Sequence, residues 1–180
     1  MKPISWLEPV GDNRYRESHG PYFEDFTVGD IYEHRPGRTV TDADNIWQSL
    51  INMNQHPLHI DHEYALQTEF GRPLVSSLVT FSIVGGLSLR STSARGVANL
   101  GWRNVELTQP VFVGDTLYAE STVLAKRPSV SRPGQGIVTV ETRGLNQSGA
   151  VVLRWERSFL VPFRDPPEPP PTTQPEAPLL

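Results

Sequence analysis

The longest regular pattern in the chain is an alternation of apolar and polar positions over its second half. Leu117, Ala119, Ser121, Val123 and Ala125 interleave with Tyr118, Glu120 and Thr122, which predicts a strand with its odd positions facing a core. Residues 137–145 form a second such run. Asn146-Gln147-Ser148-Gly149 reads as a turn, and Val151, Leu153, Trp155, Phe159 and Val161 share one parity in a third run. Residues 97–107 predict a further strand with weaker alternation, and residues 31–40 an irregular one interrupted at Pro36-Gly37. Between these strands the period changes. Thr41 stands where a helix cap is expected, with Asp42 and Asp44 in the first turn and Ile46, Trp47, Leu50 and Ile51 at helical spacing. Pro57 ends that helix near Gln55-His56, and residues 61–69 predict a second short helix stopped by Gly71. In residues 74–89 the apolar side chains Leu74, Val75, Leu78, Val79, Phe81, Ile83, Val84 and Leu87 cover every face, as expected of a helix inside a core. Ser76, Ser77, Gly85 and Gly86 allow neighbouring backbone to come close to it. One buried helix followed by antiparallel hairpins is an α+β pattern.

A sheet wrapped around one central helix is the hot-dog architecture, and a single such domain is the predicted fold. The 180 residues fit one core. The body is expected over residues 22–163, after an extension over 1–21 that wraps the surface. Residues 164–180, rich in proline from Pro166 on, offer little to bury and read as a disordered tail. A formal net charge of −4, with no block of Lys and Arg, argues against a nucleic-acid partner. The absence of cysteine excludes disulfides, thiolate metal sites and thiol nucleophiles, and is compatible with the reduced cytoplasm, the expected location. The first residues, 1–9, lack the long apolar run of a secretory signal. The apolar stretch 74–89 is too short and too rich in Ser and Thr for a membrane span. There is no glycine-rich phosphate loop, so a nucleotide redox cofactor is not expected.

Asn54-Gln55-His56-Pro57-Leu58-His59-Ile60-Asp61 resembles the active-site stretch of the MaoC-like, or (R)-specific, enoyl-CoA hydratases. That family's pattern is an Asp, two residues and Pro, then an aliphatic residue, the catalytic His, one residue and an acid. Gly71-Arg72-Pro73 before the apolar helix and Pro110-Val111-Phe112-Val113-Gly114-Asp115-Thr116-Leu117 resemble two further family stretches. The resemblance covers roughly residues 22–163. Asn52-Met53-Asn54, Ala98-Asn99-Leu100-Gly101-Trp102 and Lys126-Arg127-Pro128-Ser129-Val130-Ser131-Arg132-Pro133 are similar to the branch that acts on itaconyl-CoA and mesaconyl-CoA.

The resemblance implies hydration and dehydration of a 2-enoyl-CoA, with coenzyme A as part of the substrate and no separate cofactor. His59 is the implied acid/base, a role that suits imidazole because it titrates near neutrality. Backbone N–H groups at the start of the buried helix, at Ser77 with Ser76 beside it, are implied to hold the thioester oxygen where negative charge grows. The family's catalytic Asp falls on Asn54, and an amide takes up no proton. Asn54 orients water or His59, or a carboxylate such as Asp61 or Asp44 assists, or catalysis is weak. The first reading is preferred, because the similar branch carries this Asn. Lys126, Arg127 and Arg132 are the densest basic group and the expected contacts for the phosphates of coenzyme A. Arg38, Arg72, Arg90 and Arg103 are unranked candidates for the far carboxylate of a dicarboxylic acyl group. A homodimer is expected, because a hot-dog sheet has an edge to cover.

Plainer readings stand beside these. His56, His59 and His62 are spaced by three, but Pro57 interrupts the spacing and a metal site is not expected. Asn54 could simply terminate the preceding helix, Asp61 could cap the next, and Lys126 to Arg132 could be a solvated hairpin loop. A hot-dog thioesterase and a non-catalytic acyl-CoA-binding subunit are the alternative functions.

Overall fold

The alternating half of the chain becomes three long antiparallel strands in the computed structural model, which describes residues 7–17 and 19–165. These are β5 (Thr116–Pro128), β6 (Gln135–Leu145) and β7 (Val151–Pro162). With β3 (Ile31–Thr39) and β4 (Ala98–Leu107) they form a five-stranded sheet in the order β3-β5-β6-β7-β4, antiparallel throughout. The helices are α1 (Asp42–Ile51), α2 (Pro57–Ile60), α3 (His62–Leu66) and α4 (Ser77–Leu89). Helix α4 lies across β3, β5 and β6, which gives the expected hot-dog arrangement. None of the helices among the described residues is long and apolar enough to cross a membrane. The tail expected from Pro166 on lies outside the described residues.

The inward parity predicted for β5 holds from Leu117 to Val123 and then fails. A bulge between Val123 and Ala125 shifts the register, so Ala125 is exposed and the next residue, Lys126, turns inward. On β7 the inward row is Leu153, Trp155, Arg157, Phe159 and Val161, with a buried arginine among the apolar residues. Strand β3 is irregular as expected, with a register shift between His34 and Arg38. Gly37 is required there, since a Cβ would lie 2.5 Å from the Tyr118 ring.

Three expectations need correction. The predicted helix over residues 74–89 starts only at Ser77, because Leu74 and Val75 run extended beside Phe112 and Val111. That helix is not enclosed on every side: Leu78 and Leu89 are exposed. The stripe Ile46, Trp47, Leu50 and Ile51 points outward, with Trp47 67% exposed, while α1 buries Asn45 and Ser49. At the N-terminus, β1 (Leu7–Gly11) and β2 (Arg14–Glu17) pair as an antiparallel hairpin rather than simply wrapping the body. Its sequence signal, Asp12-Asn13 between two extended runs, favours a tight turn, and Asn13 has a φ of 55°.

Two apolar clusters make the core. One holds Val79, Ile83 and Val84 of α4 with Leu117, Leu153 and Trp155; the other holds Phe23, Phe26, Val138, Val140 and Phe159. A polar row lies between them. His34 Nε2 and Ser121 Oγ are 2.8 Å apart, and Ser121 Oγ and Thr142 Oγ1 also 2.8 Å. Arg157 Nη2 donates to Thr92 Oγ1 at 2.7 Å, and Thr92 donates to the Ser88 carbonyl at 2.6 Å, so this buried cation stands at the C-terminal end of α4, where the helix dipole is negative.

Candidate active site

His59 stands in α2, a single turn that Pro57 begins and the His56 side chain caps by accepting the Leu58 N–H at 3.1 Å. Nδ1 of His59 donates to the Leu74 carbonyl at 2.8 Å. A carbonyl can only accept, so Nδ1 carries a proton, and in the neutral imidazole Nε2 holds the lone pair. The chain then runs from Leu74 through Val75 and Ser76 into α4. The carbonyl that holds His59 therefore lies three residues before the helix N-terminus, joined to it by one extended segment.

At that N-terminus Ser76 is buried, and its N–H donates to Asn45 Oδ1 at 2.9 Å. Among the described residues the Ser77 N–H has no hydrogen-bond partner, while Val79 and Thr80 N–H groups turn back to the Ser76 carbonyl. Ser77 is exposed, so its N–H is an orphan donor at the positive end of the helix dipole. Of the two serines expected here, Ser77 is thus open and Ser76 is committed to the scaffold.

Asn45 is the residue that sequence reasoning missed. It is 1% exposed, and besides the Ser76 N–H it binds the His59 carbonyl at 2.7 Å and the Leu74 carbonyl at 3.2 Å. One amide therefore ties together the backbone of the base, the acceptor of its Nδ1–H and the start of α4. The available signal was a polar residue on the face of α1 opposite its aliphatic stripe, which ordinarily means solvent.

Asn54 follows Met53, whose φ of 52° turns the chain out of α1. Asn54 Oδ1 accepts the His56 N–H at 3.2 Å, so the carbonyl side of this amide shapes the loop and Nδ2 remains as a donor. No direct hydrogen bond joins Asn54 to His59 among the described residues. Both candidate carboxylates have structural partners: Asp61 caps α3 by accepting the Tyr64 N–H at 3.0 Å, and Asp44 holds Thr41 and Arg38. Burial pulls the Asp44 carboxyl upward, but the Thr41 N–H, the Arg38 guanidinium and the Thr41 hydroxyl outweigh it and hold the group below the usual carboxylate range. The three histidines point to separate partners, with His62 beside Asp42 at 3.7 Å. Among the described residues no group of three or more His, Cys, Asp or Glu could hold a metal ion.

The basic trio is not one patch. The β5 bulge turns Lys126 inward, where Nζ donates to the Phe23 carbonyl at 3.2 Å and to the Phe26 carbonyl, and lies 4.8 Å from the Phe23 ring centroid. Its ammonium anchors the segment before β3. Arg127 points the other way, as strand alternation requires, and with Arg103 and Trp102 lines a hollow of about 380 Å³. Arg132 is exposed in the hairpin loop.

A second cavity, of about 360 Å³, opens between α1 and α4. Arg38, Gln48, Val79, Ser82, Ile83 and Gly86 are among its walls. Of the four arginines left unranked, Arg72 stacks on Phe112 at 3.8 Å and Arg90 caps the far end of α4.

A family model described as mesaconyl-CoA hydratase matches residues 8–174. The mesaconyl-CoA hydratase of Cereibacter sphaeroides is 37% identical over 158 residues, which are 87% of this chain and 46% of that protein. The chain thus spans about half the length of this relative. Among solved structures, the MaoC-like dehydratase from Rhodospirillum rubrum has 33% sequence identity and a TM-score of 0.71, covering 81% of this chain and 99% of that one. A Mycobacterium tuberculosis protein with a double hot-dog fold has 25% identity and a TM-score of 0.75, over 84% of this chain and 47% of that one.

Proposed function

The chain belongs to the mesaconyl-CoA hydratase family, and from that premise we propose that it adds water reversibly across the double bond of a 2-enoyl-CoA. The preferred substrate is a branched dicarboxylic thioester of the mesaconyl-CoA or itaconyl-CoA type. The observation that carries this reading is the bond from His59 Nδ1–H to the Leu74 carbonyl, which leaves Nε2 for proton transfer and ties His59 to a residue three positions before an open helix N-terminus.

In the forward direction His59 Nε2 takes a proton from water as its oxygen bonds to the β-carbon. The electron pair of the double bond moves to the thioester oxygen, which the Ser77 N–H and the dipole of α4 stabilise. The imidazolium then returns a proton to the α-carbon as the enolate collapses. One water is added and His59 ends as it began, so a carboxylate at position 54 is not required. Asn54 Nδ2 holds the water by donating to its oxygen while Oδ1 keeps the loop in shape. The reaction uses no cofactor, and coenzyme A enters with the substrate. Arg127 and Arg132 are the residues of the basic trio left to meet its phosphates.

We also assign the partner as a second copy of the chain. The exposed aliphatic face of α1 and the exposed edge strand β4 support this reading, as does the double hot-dog fold of a structural neighbour twice as long.

The test is hydration of mesaconyl-CoA and of straight-chain 2-enoyl-CoAs by the purified chain, with His59→Ala beside it. Loss of general acid–base catalysis is expected to lower kcat by about 10²–10⁴-fold. An unchanged rate in His59→Ala rejects His59 as the base, and release of free coenzyme A without hydration identifies a thioesterase. Asn54→Asp is expected to alter an existing activity; activity appearing only in that variant marks the natural chain as a binding subunit.

A further inference from the structure

We infer that Arg38, at the wall of the cavity between α1 and α4, is the specificity-determining residue of this site and selects acyl groups that end in a carboxylate; this rests on the hydratase reading above. The first α4 residue in the cavity wall is Val79, two residues past the open Ser77 N–H. The wall continues down α4 through Ser82, Ile83 and Gly86. Ser82 is five residues beyond Ser77, a rise of about 7.5 Å along the helix. A butenedioyl chain spans about 4 Å from thioester carbon to carboxyl carbon, and a hydrogen bond to a guanidinium adds about 3 Å. With the thioester oxygen on the Ser77 N–H, the far carboxylate therefore reaches about as far along α4 as Ser82, which lines the same cavity as Arg38.

The chemistry of the walls fits the same substrate. Val79, Ile83 and Leu87 offer an apolar surface for the carbon chain, and among the lining residues Arg38 is the one cation and Asp44 the one anion. Arg38 spends one Nη on Asp44 and makes no other hydrogen bond among the described residues. The remaining N–H groups of the planar fork are free for a second carboxylate. Asp44 is itself fixed by the Thr41 N–H and hydroxyl, so the ion pair aims the guanidinium rather than merely cancelling its charge. Gly86 leaves the cavity open: a Cβ there would meet nothing within 4 Å, and the backbone needs no positive φ.

Arg38→Met keeps the stem and removes the charge. The comparison is kcat/KM for mesaconyl-CoA and for the 2-methyl-2-butenoyl thioester, which carries methyl in place of the far carboxylate. Losing a hydrogen-bonded charge contact is expected to lower the first by about 10–100-fold, with less than about a threefold change in the second, and Arg38→Lys recovers part of the loss. Equal losses on both thioesters, or none on either, overturn the assignment. Gly86→Val narrows the cavity without strain and is expected to raise KM for both thioesters; an unchanged KM overturns the cavity as the acyl subsite. A wild-type chain that hydrates neither thioester fails the hydratase reading instead. The subsite is then read by calorimetry with succinyl-CoA and butyryl-CoA: a preference for succinyl-CoA that Arg38→Met abolishes supports it, and equal affinities overturn it.

Discussion

Asn45 occupies a helix position that ordinarily goes to an aliphatic side chain, buried between α1 and the segment that leads into α4. Its amide satisfies the Ser76 N–H and the His59 carbonyl and shares the Leu74 carbonyl with His59 Nδ1, and a buried polar group left unmet costs about 1–3 kcal/mol. Those same groups hold His59 and the first turn of α4, so in the proposed mechanism Asn45 positions the base relative to the oxyanion donor. Asn45→Leu is expected to lower kcat by about 10–100-fold, because a shift near 1 Å in a reacting geometry costs that much, while KM for mesaconyl-CoA changes little. Steady-state kinetics beside thermal unfolding checks it: a lowered Tm with a wild-type kcat would make Asn45 a purely structural residue. At this scale the sequence was legible where function is local. The Thr41 cap and the Asp61 cap each announce themselves within a few neighbours, whereas His59 and the Ser77 N–H were singled out by resemblance to a family. Asn45 and Arg38 act on residues 14 to 31 positions away or across a cavity, and nothing in the local pattern separates them from solvent-facing polar residues.

Among the elements, the strands were read from alternation and the errors trace to what interrupts it. One bulge in β5 reversed the faces of Ala125, Lys126 and Arg127, and so dissolved an expected phosphate patch. Arg157 was passed over because a charge in an apolar row reads as a break, yet it keeps the inward parity and meets the end of α4. The polar row that it shares with His34 has a measurable consequence. Burial first, then the charges of Arg157 and Arg35, push the His34 imidazole down from 6.5 to about 4. The folded chain therefore holds His34 neutral while the unfolded chain takes up a proton near 6.5. The stability from this group is fully present above pH 6.5, is lost as pH falls from 6.5 toward 4, and amounts to about 3 kcal/mol over that window. Urea unfolding between pH 7 and 4 is expected to show this slope in the wild type and a flatter one in His34→Gln. Parallel slopes in the two chains would rule out His34 as the titrating group.

For the whole molecule, the outward face of α1 carries the most information. Helical spacing identified Ile46, Trp47, Leu50 and Ile51 as a stripe, and such a stripe ordinarily faces its own core. That core is already filled by α4, so the stripe lies outside, near an exposed Met53. Strand β4 repeats the pattern at the sheet edge, with Leu100, Trp102, Val105 and Leu107 all exposed. A lone domain seldom leaves so much apolar surface in water, and an open strand edge invites pairing. A second copy of the chain, related by symmetry, is the proposed cover for both surfaces. Trp47→Glu puts a charge in the middle of the α1 stripe without touching the hydrogen bonds of Asn45. The wild type is expected to sediment as a dimer at micromolar concentration, and Trp47→Glu to shift toward monomer by about tenfold or more in Kd, as loss of a large interface aromatic implies. If the site needs the second copy to close the cavity over its substrate, hydratase activity per chain should fall with dilution along the same curve as dimer content. A wild type that is monomeric and fully active at all concentrations would leave the exposed face of α1 to some other partner and make each chain a complete enzyme.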